Sequence, residues 1–86
     1  SSHEYKLLNH IYNSNQKLFN IIQSVSLKNN QIVVNSIKSK ILFDKAHYLQ
    51  QINHVSEFLE HTNNYNNFKY IKFSHLDVIV KDKDVI

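Results

Sequence analysis

His47, His54 and His61 stand at intervals of seven, with Glu57 three residues after His54 and four before His61. On one continuous helix His54, Glu57 and His61 would share a face, and they offer the nitrogen and oxygen donors that Zn²⁺ takes. That face lies roughly 110–170° from the apolar seam of the same segment at 100° per residue, so it points to solvent. A metal centre needs a supporting layer of hydrogen bonds around its ligands, which an exposed stripe lacks. The reading is a solvated polar face with no bound metal; in a weaker form the stripe meets another chain as a pH-sensitive contact, since imidazole titrates near neutrality.

Two other groups invite chemistry. Lys69-Tyr70-Ile71-Lys72-Phe73 interleaves cations with rings, as a stacking platform for single-stranded nucleic acid does. Two lysines and two rings are also ordinary in a half-buried strand, and nucleic acid is not an expected partner. Asp44-Lys45 falls inside an otherwise apolar sector, which predicts a local polar layer with Asp44 accepting from Tyr12 or pairing with a lysine. The carboxylates are few: Glu4, Asp44, Glu57, Glu60, Asp77, Asp82 and Asp84. None pairs with a plausible nucleophile in the pattern, so the expectation is no enzyme, no catalytic residue and no cofactor.

Composition narrows the classes further. The 86 residues contain no Gly, Pro, Cys, Met or Trp. Without Gly there is no phosphate-cradling loop, dinucleotide fingerprint or nucleophile elbow, because each needs backbone positions that only Gly adopts without strain. Without Cys there are no disulfides, zinc knuckles or thiol nucleophiles. The absence of an initiator Met points to a piece of a longer chain. Asn, Lys, Ile, Tyr and Phe are abundant and Arg is missing, the imprint of an AT-rich genome. A net charge of +3 falls short of the dense basic stripe of a nucleic-acid binder. No apolar run approaches the ~18 residues that span a bilayer, and no membrane insertion is expected; nothing in the pattern assigns a compartment.

The elements that would carry these residues read as helical. From His3 to about Ser26, Leu8, Ile11, Leu18, Ile22 and Val25 recur at steps of three and four, with Asn15 in register and Tyr5, Tyr12 and Phe19 along one flank. After a polar break at Lys28-Asn29-Asn30, a second seam runs through Val34, Ile37, Ile41, Tyr48, Ile52, Val55 and Leu59 to about Thr62, flanked by Phe58. A short link makes such helices antiparallel neighbours. Asn63–Asn67 reads as a polar linker, and Phe68–Phe73 and Leu76–Val80 as short strands by their aromatic and β-branched content.

The predicted architecture is thus mainly α: an antiparallel helical hairpin over residues 1–62, a linker over 63–67 and a β-like tail over 68–86. Its function would be non-catalytic assembly or protein–protein interaction, in the manner of a coiled coil. The interaction face would comprise Leu8, Tyr12, Asn15, Phe19, Ile22, Ile41, Tyr48, Ile52, Val55, Phe58 and Leu59. The partner would be another helical protein, the rest of a parent chain or a second copy. A prosegment-like piece of a processed precursor, or a weak metal or nucleic-acid binder, are the alternatives.

Overall fold

The structure, a computed structural model, describes residues 2–37, 39–61, 68–75 and 77–83. Its first helix, α1 (Ser2–Ser14), turns Leu7 and Ile11 inward and stops where Asn13 and Ser14 bond back to the carbonyls of Asn9 and His10. Such local side-chain bonds compete with helix continuation. Asn15 leaves the helical region at φ −153°, and its Oδ1 accepts from the Leu18 N–H at 3.0 Å, capping a second short helix, α2 (Gln16–Ile21). A polar residue that falls on the helical seam is here a helix boundary.

From Ile22 the chain is extended. Strand β1 (Ile22–Lys28) and β2 (Gln31–Ser36) form a hairpin in which Lys28 faces Gln31, and Asn29 at φ 57° makes the reversal. Asn tolerates this left-handed conformation better than other non-Gly residues do. Ser36 and Ser39 then clasp each other across the next loop, and the Ile37 N–H donates to the Ile21 carbonyl at 2.9 Å. Strand β3 (Lys40–Asp44) returns antiparallel to β2 and leads into α3 (Tyr48–His61). Strand β4 (Phe68–Ser74) lies parallel to β3, and β5 (Asp77–Asp82) closes a hairpin with it. The sheet order is β1-β2-β3-β4-β5. A parallel pair requires a crossover connection, and α3 lies on it.

The helices cover one face of the sheet. Leu7, Ile11, Leu18, Tyr48, Ile52 and Val55 pack on Ile32, Val34, Ile41, Phe43, Ile71 and Phe73, and the rings of Phe43 and Phe73 stack at 5.5 Å between adjacent strands. Side chains alternate across a strand, so the register places Ser26, Val33, Leu42, Lys72 and Ile79 in one row on the opposite, open face, with Ser24, Asn35, Lys40, Tyr70 and Lys81 in the next.

The helical hairpin and its coiled-coil character are therefore not formed: this is a mixed α/β fold built on a five-stranded sheet. The stretch expected as one long second helix divides into β2, β3 and α3. Ile32-Val33-Val34 is a β-branched run that suits a strand, while Ile37, placed on the helical seam, is exposed in a loop. Strands do form at Phe68–Ser74 and Asp77–Asp82, but they complete the sheet and are no tail, and β4 is joined to the core through Ile71 and Phe73. The linker expected at Asn63–Asn67 lies outside the described residues.

Candidate functional site

At the carboxyl ends of the parallel pair, where α/β units hold their ligands, polar side chains converge. Asp44 ends β3; its Oδ1 accepts from the Ala46 N–H at 2.8 Å, and its Oδ2 meets Nδ1 of His47 at 3.0 Å. The hydrogen bond with His47, then the one from Ala46, hold the Asp44 carboxyl below its usual range, outweighing a desolvation push upward. The His47 ring stacks on that of His75, with centroids 4.3 Å apart. His75 sits in the β4–β5 turn at φ 53°. Beneath them Gln51, fully buried on α3, spans both strand ends: its Oε1 accepts from the Asp44 N–H at 2.9 Å and its Nε2 donates to the His75 carbonyl at 2.6 Å.

This constellation fastens turns. The neighbouring cleft of about 410 Å³ is lined by His3, Asn30, Asp44, Lys45 and Ala46, which include no hydroxyl or thiol to act as nucleophile. Among the described residues no three His, Cys, Asp or Glu side chains are placed to hold a metal ion. The spacing of sevens does not survive as a stripe, because His47 lies in the turn before α3, while His54 is half-buried and His61 exposed on the helix. Nor, among the described residues, does Asp44 pair with Tyr12 or a lysine as the sequence suggests; its carboxylate meets the Ala46 amide and His47.

The residues predicted as an interaction face do not share one surface. Ile41, Tyr48, Ile52 and Val55 are buried in the chain's own core. Phe58 and Leu59 lie against that core half-buried, with Phe58 meeting Phe68 at 6.2 Å. Asn15 is the cap of α2. The structure does bring Leu8, Phe19 and Ile22 together, around a cleft of about 280 Å³ beside β1, and Tyr12 sets its ring edge-on to Phe19 at 5.1 Å. Phe19 and Ile22 also pack on the core, so the wall of this cleft is continuous with it.

Strand β5 differs from both. Every residue of it is exposed, and Val78, Ile79 and Val80 keep 37, 48 and 41 % of their surface in water. Val78 and Val80 stand opposite Phe73 and Ile71, on the helix side of the sheet; Asp77, Ile79 and Lys81 stand on the open face. Both faces of the strand thus keep apolar surface in water, and its outer edge pairs with no other strand among the described residues. The other edge, β1, exposes Ser24, Ser26 and Lys28 and has a register shift between Ile22 and Ser24, features that discourage edge pairing. Sequence reasoning identified the Val78-Ile79-Val80 run as strand; that it would be an edge depends on the sheet order. Gln51 carried no signal at all. Compared with known protein families, characterised proteins and solved structures, the chain matches none.

Proposed function

We propose that the chain is a non-catalytic protein-interaction module that takes a partner by strand addition along β5. The observation that carries this reading is the exposure of Val78, Ile79 and Val80 on a sheet edge. An unprotected edge offers a row of backbone donors and acceptors, and apolar side chains on both faces supply contact area. The helical faces support partner binding less well, because their inward residues are already spent on the sheet. The test is a display library of extended eight-residue peptides screened against the chain and its Ile79→Lys variant. Binders lost in the variant, with unchanged melting temperature, support the reading; binders indifferent to the substitution, or no binders to a chain that is also monomeric, sink it.

The open face favours a second reading. Tyr70 lies in register between Lys40 and Lys81, with Lys72 one row away on the same face. Cations around a ring suit single-stranded nucleic acid. Fluorescence anisotropy with a labelled oligonucleotide decides it: binding must weaken steeply with salt and fall in Tyr70→Ala, and salt-independent or undetectable binding removes it.

A further inference from the structure

We infer that the partner on β5 is a second copy of this chain, paired antiparallel about a twofold axis through Ile79, so that two five-stranded sheets become one. This rests on the reading of β5 as an interaction strand and adds both the occupant and the register.

The register follows from strand geometry. In an antiparallel pair, opposed residues project to the same face and their backbone groups have the same inward or outward sense. Both properties alternate along a strand. When a strand pairs with its own copy, each residue must therefore face one an even number of positions away, or itself. Odd offsets, such as Ile79 opposite the partner's Val80, are excluded.

Charge selects among the remaining registers. With the axis at Ile79, Ile79 faces the partner's Ile79, Val78 faces the partner's Val80, and Asp77 faces the partner's Lys81, the last two pairs occurring twice by symmetry. Moving the axis to Val80 sets Val78 against the partner's Asp82 and Ile79 against the partner's Lys81. Moving it to Val78 sets Asp77 against the partner's Ile79 and leaves Lys81 without a counterpart on β5. Only the first register matches apolar with apolar and opposite with opposite charge at every position from Asp77 to Lys81. Opposite charges set directly across from one another favour a pairing, and mismatches disfavour it.

The faces agree with this arrangement. On the helix side, Val78 and Val80 of both copies extend the apolar row that begins at Ile71 and Phe73. On the open face, the two Ile79 side chains meet between two Asp77–Lys81 pairs. The protected edge β1 stays outside, so pairing ends at two copies and does not propagate as it would through unlike edges.

Because the chain has no Cys, single cysteine variants report the register directly. Ile79→Cys should form a disulfide-linked dimer on mild oxidation, while Val80→Cys alone should not, since in this register those positions are diagonal. Light scattering should give twice the 10.2 kDa chain mass. Asp77→Lys and Lys81→Asp should each weaken dimerisation at least tenfold, and the double exchange should return it to within about threefold of the original. Cross-linking through Val80→Cys in preference to Ile79→Cys, or no rescue in the double exchange, overturns the register. A chain that stays monomeric at millimolar concentration overturns the homodimer. If β-strand peptides still bind such a monomer in an Ile79-dependent way, strand addition stands with a different occupant; if they do not, both readings fall.

Discussion

Gln51 offers the sharpest test of how this fold holds its turns. Its side chain is fully buried and joins the end of β3 to the β4–β5 turn through one accepted and one donated hydrogen bond. Gln51→Leu keeps the volume nearly constant and removes both bonds, so the Asp44 N–H and the His75 carbonyl lose their partner. A buried polar group left unpaired costs about 1–3 kcal/mol, and exposed His75 regains part of its loss from water. Setting this against the roughly 1 kcal/mol gained by burying an apolar side chain leaves a net loss of about 1–3 kcal/mol. For a domain of this size that is on the order of 10 °C in melting temperature. Gln51→Glu separates the two bonds. The introduced carboxylate still accepts from Asp44 N–H but cannot donate to His75, and it places a charge in a dry site beside Asp44. Burial raises the folded pKa of such a carboxyl above its unfolded value near ~4.3, so the destabilisation is greatest at neutral pH and shrinks as acid protonates it and restores a donor. Thermal melts at pH 7 and pH 5, with hydrogen exchange at Ser74 and Asp77, read both effects. If Gln51→Leu melts within about 0.5 kcal/mol of the parent chain, or its loss leaves turn exchange unchanged, Gln51 does not clamp the turn.

Other substitutions probe the remaining devices. Asn15→Ala should lower stability by about 0.5–2 kcal/mol through loss of the α2 cap, visible in urea denaturation; an increase would mean that α1 and α2 prefer to run on as one helix. Asn29→Gly should be neutral or stabilising by up to ~1 kcal/mol, and Asn29→Val should destabilise by about 1–2 kcal/mol, because φ 57° suits Gly and opposes a β-branched residue; equal melts for the two would refute the left-handed turn. Because the folded pKa of Asp44 is depressed, its stabilisation is present above the unfolded carboxyl pKa of 3.8 and is lost as pH falls through the lower folded value. Asp44→Asn should therefore melt below the parent chain at about pH 6 and converge with it toward about pH 2; a difference that grows in acid has the wrong sign.

What the sequence made legible was local. The aromatic and β-branched alternation of Phe68–Phe73 reads as strand because period two is visible over a few residues. Its partner is not visible: β4 pairs in parallel with β3, across α3, and that contact is set by the common core. The helical seam misled because Val34, Ile37 and Ile41 fit steps of three and four as well as they fit two strands and a loop. Short apolar runs are ambiguous between the two periods. With no Gly or Pro in the chain, the usual punctuation was missing. Its work is done by Asn29 and His75 at positive φ, by Asn15 as cap and by the Asp44 and Ser36–Ser39 side-chain bonds. These residue types also occur inside ordinary helices. The candidate site was hidden for the same reason, since exposure of Val78, Ile79 and Val80 follows from the last position of β5 in the sheet.

That restricted alphabet bears on how the two sheet edges should be understood. Edges are protected by proline, bulges, lysine or other polar side chains, and here proline is absent while Asn and Lys are abundant. The materials for blunting an edge are thus the commonest in the chain. On β1 they are used: Ser24, Ser26 and Lys28 face water and the register shifts near Ile22. On β5 they stand only toward the ends, at Asp77, Lys81 and Asp82, where the pairing with β4 also shifts between Phe68 and Tyr70, and the centre is Val-Ile-Val. Charges confined to the ends of an apolar strand do not prevent pairing; they choose its register, because a slip by two residues sets a charge against an apolar side chain. An edge meant to stay single would carry its lysine at the middle. Ile79→Lys puts one there, on the open face and clear of the core, so it should leave folding intact while abolishing association through β5. A variant that folds and still associates would show that the strand's charge pattern has no part in choosing its partner.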